Sequence, residues 1–75
     1  MYHTIQFTTD AVLDLEISRK QPLERLRVRR GTRLRAQIRP HVVEAEGGPV
    51  EVADLFFEDG TVTRTVPWAC LSFAE

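Results

Sequence analysis

Apolar and polar side chains alternate along most of this chain. A period of two predicts strands, since successive side chains of a strand point to opposite faces. From Tyr2 to Thr9, Ile5 and Phe7 fall on one face and Thr4, Gln6 and Thr8 on the other. After a break at Asp10-Ala11, Leu13, Leu15 and Ile17 alternate with Asp14 and Glu16. Leu34, Ala36 and Ile38 alternate with Arg33, Arg35 and Gln37 until Pro40, a residue that suits only an edge or the end of a strand. Val42 and Val43 lead into Glu46-Gly47-Gly48-Pro49, a run of loop residues.

The stretch from Val50 to Pro67 reads as a hairpin closed by a two-residue type I′ turn at Asp59-Gly60. Phe57 then faces Val62, Leu55 faces Arg64 and Ala53 faces Val66. The core face holds Ala53, Leu55, Phe57, Val62 and Val66, and the other holds Asp54, Phe56, Thr63 and Thr65. Val50 and Val52 have the opposite parity to Leu55 and Phe57, which predicts a bulge or sharp bend between Val52 and Asp54. Pro67-Trp68-Ala69 interrupts the chain as a short turn before a last strand with Leu71 and Phe73 inward.

Residues 19–30 read in two ways. Pro22, Leu23, Leu26 and a following Gly31 describe a short helix, while Leu26 and Val28 alternating with Arg25, Arg27 and Arg29 describe a strand. The expectation adopted is one helical turn over residues 22–25 and a strand from Leu26 onward. Five to seven short strands separated by turn signals predict an all-β fold. It is a small antiparallel barrel, with an SH3-like barrel as the nearest architecture. No repeat or linker divides the chain, so residues 1–75 are read as one domain.

Composition narrows the function classes. With 43% hydrophobic residues and a net charge of −1, the 75 residues are too apolar and too neutral for a disordered chain. No run is long and apolar enough to cross a membrane as a helix, and the N-terminus carries no signal-peptide pattern, so a cytoplasmic protein is expected. A chain this short leaves little room for a deep cleft, so an enzyme is not expected. Cys70 is the single cysteine, which excludes an internal disulfide. His3 and His41 have no short ligand spacing with it, and neither a metal nor a cofactor is expected.

The neutrality conceals two blocks of opposite sign. Nine of the ten Lys and Arg lie between Arg19 and Arg39 against one acid, Glu24, a local charge of +8; the rest of the chain holds Arg64 against ten acids, or −9. If the strands ending at Arg29 and starting at Arg33 form a hairpin over Arg30-Gly31-Thr32, Arg29 faces Arg33 and Arg27 faces Arg35. Like charges directly opposite destabilise a sheet, so such a stripe points to an anionic partner. The candidate residues are Arg25, Arg27, Arg29, Arg33, Arg35 and Arg39, and guanidinium forks suit the phosphates of a nucleic acid, or an acidic protein surface. Tyr2 and Phe56 are candidate stacking platforms, and Trp68 is core rim or an interface aromatic.

The bland reading is that acidic strands lie beside the arginines and neutralise them, and a sequence pI of about 6.1 favours it. A second functional class is a protein-interaction or self-association module built on the aromatics or an open strand edge, giving a homo-oligomer. Asp54 interrupts the apolar run ADLFF and invites a basic partner. Arg64 is the only one in the C-terminal half, but the type I′ register puts the two on opposite faces.

Overall fold

A computed structural model describes residues 1–16 and 24–74. Within them lie β1 (His3–Phe7), β2 (Ala11–Glu16), β3 (Glu24–Val28), β4 (Arg33–Ala45), β5 (Gly48–Phe57), β6 (Val62–Pro67), a single 3-10 turn (Trp68–Cys70) and β7 (Leu71–Phe73). The strands form one antiparallel sheet in the order β3-β2-β6-β5-β4-β1-β7, curled into a half-barrel. The all-β expectation holds. Of the helical turn over residues 22–25, residues 22 and 23 lie outside the described residues, as does Ile17, and Glu24 and Arg25 already belong to β3.

Alternation builds the core. Ile5 and Phe7 of β1, Leu13 of β2, Val28 of β3, Ala36 of β4, Ala53 and Leu55 of β5 and Val66 of β6 are buried on the inner side as one cluster. Each large member contributes about 1.5–3 kcal/mol by leaving water. Leu71 packs against this cluster, but Phe73, expected inward, is 57% exposed because it sits on the outermost strand with no further neighbour to cover it.

Three expectations about pairing are corrected. First, β3 and β4 do not form a hairpin: β3 pairs with β2, and β4 with β1 and β5. The chain from Arg29 to Thr32 instead crosses the end of β1. Gly31 N–H donates to the Phe7 carbonyl at 2.8 Å and Phe7 N–H to the Thr32 carbonyl at 2.9 Å. This topology removes the row of facing arginines, for Arg25 now lies opposite Asp14 and Arg33 opposite Gln6.

Second, the β5–β6 turn is not type I′, which needs positive φ at both central residues. Gly60 has φ 90, and Asp59 is not among the residues of positive φ. Asp59 instead turns its carboxylate on the Thr61 N–H at 3.0 Å and the Thr61 hydroxyl at 2.7 Å. Phe57 N–H donates to the Thr61 carbonyl, so the loop has three residues, Glu58-Asp59-Gly60. Replacing Gly60 by Ala is expected to cost about 1 kcal/mol in the urea midpoint, all of it backbone strain, because the added Cβ meets nothing. Gly47→Ala, without positive φ, should cost little.

Third, the longer loop shifts the register by one. Phe56 faces Val62 and Leu55 faces Thr63, which is buried on the core side, while Val62 moves to the side of Phe56. Ala53 nevertheless faces Val66 as expected. The difference is absorbed by a bulge between Ala53 and Leu55, whose extra residue lies on β6, where Thr65 adopts φ 56.

The long strand β4 does two jobs. Its first residues pair with β1 as far as Ala36, and beyond that β5 is its only partner among the described residues. Pro40 falls in this one-sided part, where a missing N–H is tolerated. Among the described residues, 42–51 pair only with one another and form a two-stranded ribbon, turned at Glu46-Gly47 with Ala45 facing Gly48.

Candidate anion-binding rim

Odd positions of β4 face outward, so Arg33, Arg35 and Arg39 are exposed while Leu34, Ala36 and Ile38 point inward. Arg25 and Arg27 lie on β3, with β2, β6 and β5 between them and β4 in the sheet. What joins the two groups is the crossing segment, which carries Arg29 and Arg30 past the end of β1 to Arg33.

Among the described residues, ion pairs with acids reach only the flanks of this series. Arg25 Nε lies 3.3 Å from Asp14 Oδ1, its partner across β2–β3. Arg35 Nε lies 3.3 Å from Glu58 Oε1 at the β5–β6 loop. Between them, Arg33 Nε donates to the neutral Gln6 Oε1 at 3.0 Å. No ion pair reaches the guanidinium groups of Arg27, Arg29, Arg30 or Arg39 among the described residues. The acid near the crossing is Asp10, and its Oδ1 accepts the Arg30 backbone N–H at 2.7 Å. The result is an exposed rim of four arginines, 27, 29, 30 and 33, beside a shallow depression formed by Asp10, Ala11, Val12, Arg27, Val28 and Arg29. Arg39 stands apart, further along β4.

Exposed guanidinium groups of this kind present planar donor forks that suit phosphate oxygens. The aromatics are not brought to the rim. Phe56 is half-buried opposite Gln37 and Val62, and Tyr2 precedes the end of β1 remote from Arg33. Trp68 packs against the core and meets Phe73 edge-on at 6.2 Å. Arg30, which the sequence places in a turn and outside the candidate set, belongs to the rim. Its signal was the doublet Arg29-Arg30 before a glycine.

A second polar group explains the interrupted ADLFF run. Asp54 is only 7% exposed, and its Oδ1 accepts the Thr65 N–H of the bulge at 3.0 Å and lies 3.0 Å from His41 Nε2. Its Oδ2 lies 3.5 Å from Arg64 Nη1, and Arg64 Nε in turn reaches Glu16 Oε2 at 3.3 Å. One carboxylate thus connects β4, β5 and β6, and through Arg64 also β2. Burial pushes the Asp54 carboxyl up, but the Thr65 N–H, the His41 hydrogen bond and charge, and the Arg64 charge together outweigh it and hold the group below its ordinary value. The one-residue register shift is what brings Asp54 and Arg64 to the same face, a pair the type I′ register forbade.

Beside this cluster the Thr65 hydroxyl donates to the Arg64 carbonyl at 2.7 Å, and Cys70 stands half-buried in the 3-10 turn. His3 is occupied edge-on with Phe73 at 5.5 Å. Among the described residues no three His, Cys, Asp or Glu side chains converge as a metal site, and no helix is long and apolar enough to cross a membrane. No protein-family model matches this chain, and neither a curated protein nor a solved structure shows significant similarity to it.

Proposed function

We propose that this chain is a non-enzymatic, SH3-like binding domain whose rim of Arg27, Arg29, Arg30 and Arg33 holds the phosphate backbone of a nucleic acid. The observation that carries the reading is selective neutralisation. The chain has acids to spare, and they pair with Arg25 and Arg35 on either flank while the four arginines between keep their charge. Unpaired guanidinium groups gathered at one end of a small barrel are an electrostatic footprint for a polyanion. The SH3-like assignment is supported by β1 lying between β4 and β7 and by the 3-10 turn before the last strand. A cytoplasmic setting is supported by the lone thiol of Cys70, which stays reduced there.

Binding of a labelled duplex, followed by fluorescence anisotropy across a salt series, tests this. Four phosphate contacts predict a slope of about −3.6 in log K against log salt. The double variant Arg29→Ala/Arg33→Ala should lower that slope by about two and weaken binding to all sequences alike. Arg25→Ala should change little, because Asp14 already holds that side chain. Absence of any binding at low salt to duplex or single-stranded probes would refute the reading.

A further inference from the structure

After internal pairing, a cluster of arginines without ion pairs remains at one end of β4 and a cluster of glutamates at the other, with Arg39 between them on β4, Asp10 beside the arginines and Glu24 on β3 also without an ion pair among the described residues. At one end is the rim. At the other is the ribbon of residues 42–51, which holds Glu44, Glu46 and Glu51 and no Lys or Arg. All three glutamates are exposed, and none has an ion-pair partner among the described residues.

The two ends also match in apolar detail. On the rim, Val12 is 57% exposed and faces Arg27 directly across β2–β3. On the ribbon, Val42 is 59% exposed and faces Glu51 directly across β4–β5, with Glu44 next on the same face. Each end therefore presents an uncovered valine beside a charge, and the charges are opposite in sign.

We propose that the ribbon of one copy docks on the rim of a second copy of this chain. Val42 packs against Val12, and Glu44, Glu46 and Glu51 meet Arg27, Arg29 and Arg30. Rim and ribbon lie at opposite ends of a 13-residue strand. Two copies set side by side and antiparallel bring each ribbon to the other's rim, and the contact is made twice around a two-fold axis. Exposed ion pairs are individually weak and screened by salt, so the dimer is a low-salt species that exchanges with monomer. The partner uses the rim of the previous section but does not require that a nucleic acid binds there. Where one does bind, it and the ribbon compete.

Sedimentation velocity of the intact chain at high protein concentration reads the state directly. The mass is expected to rise toward twice 8.6 kDa at low salt and return to 8.6 kDa at high salt. Glu44→Lys/Glu51→Lys should be monomeric at every salt while its affinity for a nucleic-acid duplex is unchanged or higher. Arg27→Glu/Arg29→Glu should be monomeric alone and lose duplex binding. Mixing the two variants should restore a dimer, since both ribbon–rim contacts in the mixed pair regain opposite charges. A wild-type chain that stays at 8.6 kDa at low salt overturns the proposal without touching the nucleic-acid reading, and so does a dimer that survives in the glutamate variant.

Discussion

Phe7→Ala is expected to leave this chain largely unfolded at room temperature. Phe7 is 0% exposed and is the largest of the fully buried side chains. Truncating a buried phenylalanine costs about 3–5 kcal/mol through lost burial and the cavity left behind. A domain of this size has about 5 kcal/mol of total stability, so the loss is of the same order as the whole. The position adds to the effect. Phe7 faces Leu71 of β7 on one side, and on the other its N–H and C=O hold the crossing at Thr32 and Gly31. Near-UV circular dichroism and urea denaturation would show the loss. Phe73→Ala, at an exposed edge position, serves as the control and should move the midpoint far less. A Phe7→Ala chain with a wild-type midpoint would mean that β1 is not in the core.

Asp54→Asn should lower stability by about 2 kcal/mol, the worth of a hydrogen bond to a charged group. That corresponds to roughly 8–16 °C in Tm for a domain of this length. The amide keeps the shape but loses the charge that His41 and Arg64 face and weakens the acceptor for Thr65 N–H. Acid titration of stability gives a second readout. The folded-state pKa of Asp54 lies below the ordinary 3.8, so the protonated form is disfavoured in the fold. Its contribution is complete above about 3.8 and is lost as pH falls through the lower folded value. The stability difference between wild type and Asp54→Asn should therefore be flat from neutral pH down to that point and narrow below it. A difference that narrowed well above that point instead would mean that the Asp54 charge is not its source.

The strands were readable because period-two alternation is a local property, and Ile5, Phe7, Leu13, Ala53 and Leu55 all face inward as their spacing implies. Partners were harder, since neighbours in sequence are only a first guess. The link Arg30-Gly31-Thr32 looks like a hairpin loop, yet it runs past the end of β1, where Gly31 and Thr32 hydrogen-bond to Phe7. The parity change at Val52–Asp54 made the bulge legible, but not that its extra residue lies on β6, because a β-branched Thr65 at positive φ runs against local preference. It is held by Asp54, eleven residues away. The arginines of the rim were all legible as a charge block. Which of them keep their charge was not, because that depends on Asp14 and Glu58, and their positions follow from strand order.

The place of β1 in the sheet bears on how the chain reaches this fold. Hairpins β2–β3, β4–β5 and β5–β6 join segments adjacent in sequence and can close early. Strand β1 pairs with β4 and with β7, so its second neighbour is the last strand of the chain. Until β7 arrives, one edge of His3–Phe7 is unpaired, and Ile5 and Phe7 lack the cover of Leu71. Non-local pairings of this kind slow folding toward the millisecond-to-second range. An intermediate lacking β7 would carry Ile5 and Phe7 on a strand with an open edge, a form prone to aggregate.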